Sequence, residues 1–83
     1  MRKEMYPAVF STDGENGYTV SFPDLLGCVT EGDTLCEAVE MAEDALGIYL
    51  YSLSEDGEDF PKASNPIDIK CNEGEFIDLV KWD

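Results

Sequence analysis

The sequence contains no histidine, and only five of its 83 residues are basic. Without histidine the commonest general base near neutral pH is missing, and no serine or cysteine has the imidazole that would activate it. The same lack argues against a four-ligand zinc site, because the three cysteines form no C-x-x-C pair and have no histidine to join them. Cys28, Cys36 and Cys71 are odd in number and widely spaced, so they make no disulfide framework and read as buried or half-buried free thiols. Long apolar runs are absent as well: nothing approaches the ~20 residues that span a bilayer. The opening MRKEMYPAVF has no apolar stretch before Glu4 and therefore no signal-peptide core. No membrane association and a cytoplasmic location are the expectations that follow.

What the sequence does have is acid. Nineteen carboxylates stand against the five bases, a net charge of −14, and no basic residue lies between Lys3 and Lys62. Such a surface repels phosphate backbones, since nucleic-acid binding depends on Lys and Arg displacing counterions. It attracts basic partners and speeds the encounter at low salt, and it also confers solubility. At this length the chain is expected to be one domain, residues 1–83, near the size where a single core is only just sufficient. Apolar surface that pairs two copies, or pairs this chain with a partner, would supplement such a core.

Period-two alternation predicts a first strand over Glu4–Thr12, with Tyr6, Ala8 and Phe10 on one face. Pro7, which cannot donate to a ladder, suits an edge or a position whose amide would face solvent. Asp13-Gly14-Glu15-Asn16-Gly17 carries two turn dipeptides and predicts a hairpin. The second strand, Gly17–Phe22, points Tyr18, Val20 and Phe22 to the apolar side; Pro23 ends it. A short third strand over Cys28–Glu31 precedes Gly32.

Thr34-Leu35-Cys36-Glu37 fits a capping box at the start of a helix. Leu35, Ala38, Val39, Ala42, Ala45, Leu46, Tyr49, Leu50 and Leu53 recur at helical spacing as its buried stripe, with Gly47 marking a close contact. Acids and Gly57 stop the helix before Pro61. A short extended segment over Pro66–Lys70 and a turn at Asn72-Glu73-Gly74 lead to a last strand, Glu75–Trp82, which turns Phe76, Asp78, Val80 and Trp82 to one face. The reading is α+β: a small antiparallel sheet with one packed helix, in the order β-β-β-α-β.

Three stretches carry a family pattern: YPAVF (Tyr6–Phe10), GYTVSFPDLLGCVTEGDTLCEAV (Gly17–Val39) and the A-x-x-A-L of Ala42–Leu46. The combination F-P-D-x-x-G-C-x-T-x-G-D-T followed by E-A is specific, whereas no single piece is. On these residues the chain resembles the HicB-type antitoxins, which neutralise HicA-type mRNA-cleaving toxins. The match covers about the first 65 residues closely, and Glu75–Asp83 fits the family's last core strand. The resemblance implies a partial RNase H-like fold and a small basic toxin partner with a catalytic histidine. Relatives often carry Pro where Leu26 stands and Glu or Ala where Cys36 stands. Many also carry a C-terminal operator-binding domain; the 83 residues hold none, so direct nucleic-acid binding is not expected of them.

An RNase H-like fold rich in acids raises the alternative of a nuclease. Asp24, Glu31, Asp33 and Asp78 are the carboxylates near strand ends, but two-metal catalysis needs three or four converging on ions roughly 4 Å apart. Asp24 after Pro23 and Asp33 before the helix have ordinary turn and cap roles. No catalytic residue, cofactor or metal ligand is therefore expected. The binding candidates are Glu37, Glu40, Glu43 and Asp44 on the helix's outward side, with Met41 and Ile48 as apolar anchors off the buried stripe. A homo-oligomer, dimer or tetramer, using the same helix face or a sheet edge is the other reading.

Overall fold

The structure, a computed structural model, describes residues 4–12 and 14–82. Asp13 of the predicted hairpin turn, and Asp83 at the end of the predicted last strand, lie outside the described residues. The order is β1 (Glu4–Thr12), β2 (Tyr18–Ser21), β3 (Val29–Gly32), α1 (Leu35–Glu55), a 3₁₀ turn (Pro66–Asp68) and β4 (Glu75–Trp82). The four strands form one antiparallel sheet in the order β3-β2-β1-β4.

The alternating residues of β1 set the two faces. Tyr6, Ala8 and Phe10 pair with Val80, Asp78 and Phe76 of β4, and Phe10 also pairs with Val20 of β2. This face is roofed by α1, whose buried residues are Ala38, Ala42, Leu46 and Leu50. Two alanines in successive turns let the helix backbone approach the sheet, and the leucines fill the space beside Tyr6 and Phe10. Each fully buried leucine contributes about 1.5–3 kcal/mol relative to exposure. Phe10 and Phe76 stack across the strands with ring centroids 5.1 Å apart.

Capping follows the sequence with one difference. The Thr34 hydroxyl accepts from the Glu37 amide at 3.1 Å. The Glu37 carboxylate reaches back one residue further than the usual box, accepting from the Asp33 amide at 3.2 Å. Leu35, expected in the buried stripe, is 44% exposed; it opens the helix and has no preceding turn to cover it. Gly47 does mark a close contact. A Cβ built on it would meet the Trp82 ring at 3.4 Å, and Trp82 is held in turn edge-on by Phe60. Gly32 is a closer approach still: a Cβ there would come within 2.5 Å of the Ala38 amide nitrogen.

Pro7 fits the second of its two expected placements, and two other expectations are revised. Pro7 is in an interior strand, yet it lies beyond the last β1–β2 pair, Val9↔Ser21, where β1 is paired on the β4 side only. Pro66–Asp68 is a 3₁₀ turn rather than an extended segment, because the Asn65 side chain accepts from the Ile67 amide and caps it. Of the thiols, only Cys28 is buried, while Cys36 and Cys71 are exposed.

Candidate protein-interaction surface

The Phe22–Cys28 loop carries the chain from β2 to β3 and closes on itself. The Phe22 amide donates to the Cys28 carbonyl, the Leu25 amide to Phe22, and the Cys28 amide to Leu25. Leu25 thereby turns inward and Leu26 outward, the latter 93% exposed. Side-chain hydrogen bonds fix this loop to the rest of the fold. The Tyr49 hydroxyl donates to the Leu26 carbonyl at 3.1 Å. The Ser64 amide and hydroxyl both donate to the Asp24 carboxylate, so Asp24 fastens the loop to the segment after the helix. Beneath it, the Cys28 thiol donates to the Ala45 carbonyl at 3.8 Å, and burial pushes that thiol above its ordinary range.

Between this loop, β3 and the flank of α1 runs a shallow groove. Its upper part, about 480 Å³, lies among Thr19, Val29, Thr30, Glu31 and Met41 and reaches over the β3 edge to the open face. Its lower part, about 250 Å³, lies among Cys28, Val29, Ala45, Ile48 and Tyr49. Val29 borders both and is 59% exposed; Ile48 is 72% exposed. Met41 and Ile48 give the groove's helix side an exposed apolar surface, and Thr19, Thr30 and Glu31 make the upper part polar; open to solvent, it suits a protein segment rather than an enclosed small molecule.

The six predicted binding residues do not form one cluster. At 100° per residue, Met41, Ile48, Glu37 and Asp44 fall within an arc of about 60° on the helix. Glu40 lies about 100° and Glu43 about 160° from Met41 around the same axis. Met41 and Ile48 line the groove, so Glu37 and Asp44 form its outer rim, with exposed Glu31 on the strand side. Glu43 stands one turn before Gly47, on the flank that packs against Trp82 of β4, away from the groove. Glu40 is exposed between the two and accepts from the Cys36 thiol at 3.7 Å.

Sequence reading missed Val29 and Leu26 as surface residues. Val29 was legible in principle: Thr30 pairs with buried Val20, so strand alternation sends Val29 to the opposite, open side of the sheet. Leu26 carried no such signal, because a self-closing loop has no period.

The nuclease candidates are dispersed. β3 and β4 are the two edges of the sheet, three inter-strand steps or about 14 Å apart. Glu31 projects from the open face, paired with Thr19, whereas Asp78 is on the helix face opposite Ala8. Asp24 is engaged by Ser64 and Asp78 by the Leu79 amide. Among the described residues, no three His, Cys, Asp or Glu side chains gather as a metal site, and no helix is long and apolar enough to cross a membrane.

The fold and groove define a class: a small α+β domain presenting an acid-rimmed apolar furrow beside an edge strand. The chain belongs to the family described as the HicB-like antitoxin of bacterial toxin-antitoxin systems, which it matches over residues 6–82. It is 41% identical over 59 residues to antitoxin HicB of Escherichia coli K12, covering 71% of this chain and 43% of that protein. It thus spans less than half the length of that relative. Among solved structures it superposes on a chain of a toxin–antitoxin complex from Streptococcus pneumoniae with a TM-score of 0.86 and 27% identity, covering 99% of this chain and 70% of the other. A chain of the HicA3–HicB3 toxin–antitoxin complex superposes with a TM-score of 0.73 and 25% identity, covering 93% and 95%.

Proposed function

We propose that this chain is a toxin-neutralising domain: it binds a small basic HicA-type mRNA-cleaving toxin and covers the face through which that toxin meets RNA. The observation that carries the reading is the furrow beside β3 lined by Met41, Ile48 and Glu31, with Glu37 and Asp44 on the same arc of the helix as Met41 and Ile48, in a chain whose family is one of antitoxins. Apolar anchors supply most of the affinity, and the carboxylates speed encounter with a basic surface and stand where substrate phosphate would. Glu40 and Glu43 add to the long-range field rather than to the contact. On this reading the 83 residues act as one domain in the cytoplasm, without cofactor, without catalysis and without touching nucleic acid themselves; the spread of Asp24, Glu31, Asp33 and Asp78 supports a binding role over a nuclease. The test is a titration of a HicA-type toxin with the purified chain: a one-to-one loss of RNA cleavage supports the reading, and cleavage untouched at tenfold excess removes it.

A homo-oligomer is the second reading, favoured by the open face of the sheet. There Met5, 50% exposed, and Leu79, 45% exposed, flank buried Pro7 and half-buried Val9 and Ile77. Size-exclusion chromatography with and without the toxin separates the two, since self-association would survive without any basic partner.

A further inference from the structure

The two edges of the sheet are finished differently. On β4 the Leu79 amide is satisfied by the neighbouring Asp78 carboxylate at 2.9 Å, and the Glu75 amide by the Asn72 carbonyl at 3.1 Å. A side chain occupying an edge amide, together with Lys81 on the same strand, blocks pairing with another chain. The β3 edge is short and carries the charge of Glu31, which deters an acidic strand but not a basic one, and among the described residues no side chain occupies its amides. Among the described residues, the main chain of Val29–Gly32 finds its partners in the β2 ladder and none in loops, side chains or the helix. Its outward amides and carbonyls therefore face the groove's mouth.

We infer that β3 accepts an added strand from a basic partner, extending the sheet to five strands alongside α1. This rests on the toxin-binding reading and specifies how the toxin docks. The groove walls match the geometry of a strand. Successive side chains of an added strand alternate, and those two apart stand about 7 Å from one another. Those on the helix side would seat against Met41 near Thr30 and against Ile48 and Ala45 near Val29, and the larger recess continues over the strand edge to Thr19 and Glu31. The alternate side chains would pass Glu31 on the open face. Charge fixes the chemistry of the occupant. Glu31 lines the site, Asp33 follows the end of β3, Glu37 and Asp44 share the helix arc of Met41 and Ile48, and no basic residue stands between Lys3 and Lys62, so the incoming strand carries Lys or Arg beside its apolar anchors. The same acids repel the β3 edge of a second copy. With only four residues in β3, the ladder adds few hydrogen bonds and mainly sets register, while Met41 and Ile48 hold the partner.

The test is residue-resolved amide exchange by NMR on the unaltered chain, free and bound to a HicA-type toxin. Strand addition protects alternate amides of β3, since successive N–H groups of a strand point to opposite sides; the outward set should slow by about tenfold or more, as a newly formed ladder requires. Binding that slows all four amides equally, or none, overturns strand addition while leaving toxin binding intact; absence of binding overturns both. A paired substitution gives a second measure. Val29→Lys on the exposed edge should weaken binding by about tenfold or more through charge repulsion and lost apolar contact, whereas Leu79→Lys on β4 should leave it within twofold. Equal effects of the two would contradict an edge-specific site.

Discussion

Leu46 has no solvent exposure and lies in the core with Tyr6, Phe10 and Val20. Leu46→Ala should cost about 2–5 kcal/mol in chemical denaturation, because a domain this small has little room to collapse around the cavity; a loss well under 1 kcal/mol would mean that the helix does not bury this face. Cys28 gives a pH dependence. Burial raises its thiol above the ordinary value of 9.0, so the folded chain holds the proton more tightly than the unfolded chain. That contribution is complete below the unfolded value and is lost as pH rises through the folded one. Stability should therefore fall more steeply on the alkaline side of about pH 9 than in Cys28→Ala, which lacks the group. A thiol reagent at neutral pH should modify exposed Cys36 and Cys71 rapidly and Cys28 only at the rate of unfolding. The free state of the three thiols was legible from their number; which one is buried was not. Cys28 owes its burial to a loop folding over Ala45, a long-range contact that no local pattern encodes.

At the scale of elements, α1 and the strands were legible because each has an unbroken period and a marked start. Thr34 and Glu37 announce the helix, and Tyr18, Val20 and Phe22 the second strand. What failed to show was the edge of things: Leu35 looked periodic but is exposed at the helix's first residue, and Pro66–Asp68 gave no period in three residues. Gly47 is the informative exception, since its helix cost of about 1 kcal/mol implied a reason. That reason is Trp82, close but not in collision. Gly47→Ala should consequently raise stability by a few tenths to about 1 kcal/mol, read as a higher melting temperature, while Gly47→Leu should lower it by displacing the indole. Gly32→Ala should be more harmful than either, because its Cβ would meet helix backbone rather than a side chain. Equal tolerance at the two glycines would contradict the packing of β3 against the first turn of α1.

For the whole molecule, charge and shape act together. The acids are spread over the helix, yet only Glu37 and Asp44 border the groove, a division that helical spacing contains but that a list of acidic residues conceals. The double change of Glu37 and Asp44 to Lys should weaken toxin binding by about tenfold or more and reduce its salt sensitivity. Glu43→Lys, on the Trp82 flank, should change affinity by no more than about twofold, its effect confined to the association rate at low salt. The central claim is that the furrow between α1 and β3 silences a basic RNA-cleaving toxin. Its most direct test is the RNA-cleavage activity of the HicA-type toxin titrated with the chain and with its Met41→Asp, Ile48→Asp variant, both changes being at exposed positions. The unaltered chain should inhibit fully at one equivalent and the folded variant only a little. Equal inhibition by both, or none by either, would contradict that claim.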